Sequence, residues 1–382
     1  VELFLGEPDQ RGSRSDNYYY KVQHKPISFR GNYQGVYAIR ENIKRSKGRM
    51  NLPKLGDNAT GGRKGTYILE LRSVEHENLF RSEEPTEPAI LDTGATRVYF
   101  KYPKYALTQD RTYVSSFIKK FESVLFGEKW DDEKFGYRSM IDVQSFIDYF
   151  FHTELTKNMD GYISSVYMTL DRDSNTLAAG PPWDYDLAFG NAAGWNGYYT
   201  GYSGWALHGP NQNKYSRMVQ WYKRMLDDPY FKDQLLERWA ELRSGPLHDS
   251  ETRSIISKNE ALLRKSTSRN FQKWPTYQIS SNDGRIPIVG SQGSWSAEVD
   301  ALAAWVDKRL IWMDEQLDKY TKGHSMSVSD LNYADYEEGP RLMPLINDIR
   351  AEIRETFYPN WRPGNLWNNF VDNNNYNDNN YN

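Results

Sequence analysis

The sequence predicts an α+β fold in which a small β-rich lobe precedes a larger helical lobe. Three observations predict it. Up to about residue 105 short β-type runs alternate with turn residues, after Pro103 the apolar period lengthens to three and four residues, and one hairpin pattern at 162–179 interrupts the helices. The expected division is 1–105 for the sheet lobe, 106–320 for the helical lobe, 321–360 for a C-terminal extension and 361–382 for an Asn-rich tail.

In the first lobe, residues 1–5, 35–39, 65–71 and 96–100 are rich in β-branched and aromatic side chains and read as strands. The polar stretch between Gly6 and Pro26, with Tyr18, Tyr19 and Tyr20 in a row, has the composition of a long hairpin loop. Val1 stands where a start methionine would, and no charged start with a signal-type apolar run follows it. The lobe is therefore expected to be truncated at its start, in a chain trimmed or cut from a longer precursor. Asn58-Ala59-Thr60 matches an N-glycosylation acceptor, a pattern that also arises by chance.

In the second lobe, Tyr113, Phe117, Phe121, Val124 and Leu125 recur at helical steps. Val143, Phe146, Ile147, Phe150, Phe151 and Leu155 form a second stripe, with Asp142 as N-cap and 158–161 as the stop. That helix carries Asp160 to its C-terminal end. Residues 162–170 then alternate as a strand, 171–175 turn, and 176–179 return toward Trp183-Asp184-Tyr185-Asp186. Further helices are expected at 213–227, 230–243, 249–268 and 296–318, with a weaker one at 340–357. The closing run Asp372–Asn382 is too polar to offset its ordering entropy, so a disordered tail is expected.

Composition narrows the function classes. Hydrophobic residues make up 38% of the 382, enough for a substantial core. The charge is 48 − 51 = −3, which supplies no global positive field for nucleic acid or anionic lipid. No run approaches the ~18 apolar residues of a membrane span. With no cysteine, disulfide frameworks and thiolate metal sites are excluded. Aromatics reach 15%, which suits sugar-stacking platforms as well as an amphipathic core and rim, so a carbohydrate-active reading is also weighed.

Phosphoryl transfer needs a carboxylate to orient the attacking hydroxyl, acidic ligands for Mg²⁺ and donors for the phosphates. Asp184 and Asp186 are two residues apart, so on an extended segment both face one side and suit a hard cation. Asp160 would join them if the hairpin folds back, and there it could accept a hydroxyl proton. The same acids equally suit turn caps. The run Gly61-Gly62-Arg63-Lys64-Gly65 is either a phosphate cradle or a hairpin tip. Lys101 and Glu70 are candidates for a phosphate-positioning lysine and its acid. Other motifs fail: Asp171-Arg172-Asp173 opens like a calcium loop but lacks the later Gly and Glu, His152 and Glu154 lack a second histidine for zinc, and Ser164 and Ser165 lack a hydrolase elbow.

Five ordered runs carry a resemblance: Tyr33-Gln34-Gly35-Val36-Tyr37 leading to Glu41-Asn42-Ile43; Gly65 to Glu70; Ile141 to Phe150; Glu154 to Tyr162; and Gly180 to Asn191. Downstream, Asp228 to Phe231, Arg238-Trp239, Leu242-Arg243, Arg269-Asn270 and the run from Trp305 to Asp314 continue it. Together they resemble the spore coat protein H (CotH) kinase family from about residue 30 to 318. The resemblance implies a two-lobed, atypical protein-kinase-like fold, ATP with Mg²⁺ (or Mn²⁺), and phosphorylation of serine hydroxyls on secreted, cell-surface or spore-coat proteins. Residue by residue, Asp160 falls on the family's catalytic aspartate, and Asp184 and Asp186 on its metal-binding acids. Asn158 is implied on the metal side, with Glu154 as a further metal-side or supporting group, while Glu41 joins Lys101, Glu70 and Gly62 on the nucleotide side. Relatives that serve as surface binding proteins imply an alternative, a non-catalytic adhesion protein that keeps the fold.

Overall fold

The computed structural model describes residues 2–4, 33–57, 63–74, 89–93, 95–191, 198–209, 216–274 and 294–321. The expected hairpin loop at 6–26, the glycosylation triplet, Gly61 and Gly62, the 340–357 helix and the tail lie outside the described residues. Among the described residues the architecture is α+β: a five-stranded antiparallel sheet, two two-stranded ribbons and six α-helices.

The sheet is built around β5 (Thr66–Ser73), which is buried along nearly its whole length because it is the central strand. Its neighbours are β7 (Thr96–Tyr102) and β8 (Val166–Asp171); β6 (Leu91–Asp92) and β9 (Thr176–Ala179) form the edges. Register pairs Leu69 with Phe100 on one side and with Met168 on the other. Strands from both sides of residue 105 thus share one sheet. Alternation then sorts the side chains: Tyr67, Leu69, Leu71, Val98, Met168 and Leu170 face the main core, whereas Ile68, Glu70 and Tyr167 face the opposite way. Ile43, with Met50, Leu52, Tyr102 and Trp183, closes over that second face.

The two ribbons are β1 (Glu2–Phe4) with β2 (Tyr33–Val36), and β3 (Gly56–Asp57) with β4 (Arg63–Lys64). The strand expected at 35–39 ends at Val36. Its edge groups bond instead to side chains at the end of helix α5 (Asp249–Lys273) and its C-cap: Val36 N–H donates to Asn270 Oδ1 at 2.9 Å and Trp274 Nε1 donates to the Gln34 carbonyl at 2.8 Å.

The helical part begins with α1 (Thr108–Leu125), whose Val114, Phe117, Ile118, Phe121 and Leu125 are buried. Phe121 meets Trp221 of α3 (Arg217–Met225) edge to face at 5.1 Å, a geometry worth ~0.5–1.5 kcal/mol beyond burial. Asp142 caps α2 (Val143–Thr156) by accepting the Ser145 N–H, and Phe146, Ile147, Phe150 and Phe151 fill the centre of the core. Helices α4 (Pro229–Ser244) and α6 (Trp295–Thr321) cover its outer side through Trp239, which stacks on Phe151 at 5.1 Å, and through Leu310, Met313 and Leu317. No helix is long and apolar enough to cross a membrane among the described residues.

Asp110 ties sheet to helix. Fully buried, it accepts from Arg63 at 2.7 Å, Tyr67 Oη at 2.8 Å and the Leu107 N–H at 2.9 Å, with Arg172 at 3.8 Å. Burial and the hydrogen bond to this carboxylate hold the Tyr67 phenol protonated well above its ordinary range. Asp110→Ala would leave two guanidinium groups facing an emptied, dry position, at a cost of ~3–5 kcal/mol. Urea unfolding measures this directly, and a loss below about 1 kcal/mol would show that the cluster is solvated rather than structural.

Candidate active site

The turn after α2 is locked from three sides. Lys157 ends the helix in the left-handed region at φ 49°. Asn158, 1% exposed, accepts the Asp160 N–H on its amide oxygen at 3.0 Å, while its amide nitrogen reaches the Asp184 carbonyl at 3.4 Å. The Asp160 carbonyl accepts from Ile163 and Ser164, both at 2.9 Å, which turns the chain into β8. Gly161 lies so close to α2 that a Cβ there would come within 2.5 Å of Thr153 Cγ2. Tyr149 Oη donates to its carbonyl at 2.7 Å. A larger residue would push Asp160 off the helix end.

The hairpin β8–β9 folds back as the alternation predicts, although its first strand starts at Val166 rather than at 162 because Ser165 turns the chain at φ 55°, and the segment it returns is pinned to the turn by backbone bonds. Met159 N–H donates to Leu187 at 3.3 Å and Phe189 N–H to Thr156 at 2.7 Å. Tyr185 points away to α2, its hydroxyl 3.2 Å from Thr153 Oγ1 and its ring edge-on to His152 at 4.7 Å. Asp184 and Asp186 stay exposed beside Asp160. Their placement does not come from the extended geometry that the two-residue spacing implied: Asp184 has φ 64°, in the left-handed region. Among the described residues, four of the five non-glycine residues with positive φ, Lys157, Ser165, Asp184 and Phe189, flank this junction. Concentrated backbone strain of this kind persists where the surroundings over-determine a functional geometry.

Electrostatics make the convergence explicit. The Asp160 carboxyl is pushed up from 3.8 to about 6, first by burial, then by the charges of Asp186 and Asp184. Two exposed acids and one half-buried acid at a shared locus suit a divalent cation, whose charge relieves that repulsion. Among the described residues no three His, Cys, Asp or Glu side chains form a cage able to hold a metal by themselves. Magnesium in phosphoryl-transfer sites is bound by one or two carboxylates with waters and substrate phosphates, so the donors present fit such an ion.

On the nucleotide side the candidates separate. Glu70 does not take Lys101 as its acid–base partner; Arg72, two residues along the same strand face, grips its carboxylate through two nitrogens at 2.9 and 2.8 Å. Alternation along the strand puts the two side chains next to each other on one face. Lys101 instead lies 5.8 Å over the ring of Tyr167, on the sheet face that Trp183 covers. Glu41 is exposed and paired with Arg49 at 2.8 Å. Gly62 lies outside the described residues.

Two buried cations escaped the sequence reading because nothing local marks them. Lys157 Nζ donates to the Gly201 carbonyl at 3.0 Å and to those of Tyr198 and Ser203, and Arg309 of α6 donates to Tyr202 at 2.6 Å and Gly204 at 2.7 Å. They hold the strip 198–204 that follows the acidic segment. Glu154 stands behind the turn, buried, accepting from the Ala206 and Leu207 N–H groups at 2.6 and 2.8 Å and from Tyr162 Oη at 3.0 Å.

No curated protein matches this chain. The profile of the CotH kinase protein matches residues 14–313, a span that contains the turn, the hairpin, the acidic segment and the strip beyond it. With most of its length inside that match, the chain belongs to the CotH kinase family and is of the kinase-like, phosphotransferase type.

Proposed function

We propose that the protein transfers the γ-phosphoryl group of ATP, with Mg²⁺ or Mn²⁺, to serine hydroxyls of secreted, cell-surface or spore-coat proteins. The observation that carries this reading is the meeting of Asp160 with Asp184 and Asp186 at a backbone-locked junction, where burial first and then the charges of Asp186 and Asp184 raise the Asp160 carboxyl to about 6. Bound there, a divalent ion would neutralise charge on the transferring phosphate and the leaving oxygen. Asp184 and Asp186 would hold it, with the second lone pair of the Asn158 amide oxygen. Asp160 orients the acceptor hydroxyl and takes up its proton as the serine oxygen bonds to the γ-phosphorus and the bond from that phosphorus to the bridging oxygen breaks, releasing ADP. Asn158 fixes that carboxylate by holding its N–H. Lys101, with its ammonium on the face that Trp183 closes, is the candidate donor to the phosphates.

The test uses labelled ATP, Mg²⁺ or Mn²⁺ and a serine-rich acceptor. Wild type should transfer label, and Asp186→Ala should reduce transfer by ~10²-fold or more. Equal label in both would overturn the reading. Absence of transfer together with absence of a Mg²⁺-dependent thermal shift with ATP would favour the alternative of a non-catalytic surface-binding protein.

A further inference from the structure

Among the described residues, Arg40 is a cation in contact with the acidic junction that none of the roles above uses. It lies on the non-regular stretch after β2, three residues before Ile43, whose side chain is buried against the second face of the sheet. Its guanidinium Nη1 is 3.8 Å from Asp184 Oδ1, and its Cζ stands 5.0 Å over the ring of Trp183. Trp183 in turn meets Tyr167 edge-on at 6.5 Å, and Lys101 lies over that same Tyr167. The neighbouring acid, Glu41, is taken by Arg49. Arg40 therefore faces the metal-side carboxylate from above, on an aromatic support shared with the sheet.

We propose that Arg40 is a two-position cation of the nucleotide site, resting on Asp184 while the site is without a divalent ion and passing to the nucleotide polyphosphate once Asp184 is engaged by metal. The inference rests on the kinase reading above and adds a residue to it. Three features carry it. The contact with Asp184 is long for an ion pair, and both side chains are largely exposed, 65% and 46%, so little holds it shut. A divalent ion at ~2.1 Å attracts a carboxylate oxygen roughly three to four times as strongly as a single charge at the observed separation, so Arg40 loses that competition. The Trp183 face then keeps the displaced guanidinium at the site, where its forked donors match phosphate oxygens.

The proposal predicts changes of opposite sign. In Arg40→Ala, Mn²⁺ measured without nucleotide should bind roughly three- to fivefold tighter, because a competitor for Asp184 is gone. ATP binding at saturating Mn²⁺ should weaken about tenfold, with Arg40→Lys intermediate because a point charge replaces the fork. Isothermal titration of the full chain gives both constants without any measurement of turnover. A change in only one of them, in neither, or in the same direction for both overturns the proposal. If wild type binds Mn²⁺ and ATP, such a result leaves the kinase reading standing. If wild type binds neither, the kinase reading fails and this proposal fails with it.

Discussion

Asp160→Asn will make the metal-free protein more stable at neutral pH while removing its phosphoryl transfer. The Asp160 carboxyl holds its proton more tightly folded than unfolded, about 6 against 3.8, because burial and the charges of Asp186 and Asp184 oppose ionisation. A raised carboxyl contributes stability in full below pH 3.8 and loses it as pH rises through about 6. Above that the ionised group costs the fold ~(6 − 3.8) × 1.36, or about 3 kcal/mol, before any relaxation. Asparagine keeps the shape and drops the charge, so a gain of ~1–3 kcal/mol, a Tm rise of a few degrees, is expected at pH 7.5 in EDTA. The gain should vanish by pH 4. Loss of the proton acceptor should lower kcat by ~10²–10⁴. A variant less stable than wild type at pH 7.5, or a difference that ignores pH, would refute the electrostatic account of the junction. Opposed effects on stability and activity are the usual signature of a strained catalytic group.

The parts of this site that could be read from sequence are those encoded locally. Asp142 as cap, the stripe of α2, the turn at 171–175 and the returning strand at 176–179 each follow from residues within a few positions of one another. Because Asp160 lies before one short hairpin and Asp184 and Asp186 lie after it, the fold-back of that hairpin brings the three acids near one another. Contacts set by distant register were not legible. Which strands flank β5, and hence that Glu70 faces Tyr99 and Tyr167, depends on pairings some thirty and about a hundred residues away. Arg72 wins Glu70 because alternation places i and i+2 side by side, a closer option than the lysine chosen on charge alone. The left-handed Asp184 illustrates a different limit, since its conformation comes from the Asn158 and Leu187 bonds to the turn rather than from its own neighbours.

Arg309→Met will be among the most destabilising single substitutions in the helical part, costing ~3–5 kcal/mol. Arg309 is fully buried, donates to the Glu154 carbonyl at 3.0 Å through Nε and again through Nη2 at 2.5 Å, and lies 3.5 Å from the Glu154 carboxylate. Burial lowers its pKa to about 10, still well above neutrality, and burial also raises that of Glu154. Each charge is tolerable only because the other is present. Removal of Arg309 strands the Glu154 charge with the Ala206 and Leu207 N–H groups as its remaining support, along with Tyr162. The variant's deficit should therefore narrow as pH falls, since protonating Glu154 then relieves the buried charge. Glu154→Gln added to Arg309→Met should recover part of the loss, because an uncharged amide leaves no unpaired ion. Urea unfolding of the two single variants and the double variant closes the cycle, and a pH-independent deficit with no recovery in the double variant would show that Arg309 acts through packing alone. The strip it clamps also carries the Thr200 carbonyl that accepts from Trp305 Nε1 at 2.9 Å, beside Gly190 of the acidic segment. Loosening that strip in any variant that still folds should cost phosphoryl transfer as well as stability, although Arg309 lies behind the acidic junction and would touch neither metal nor nucleotide.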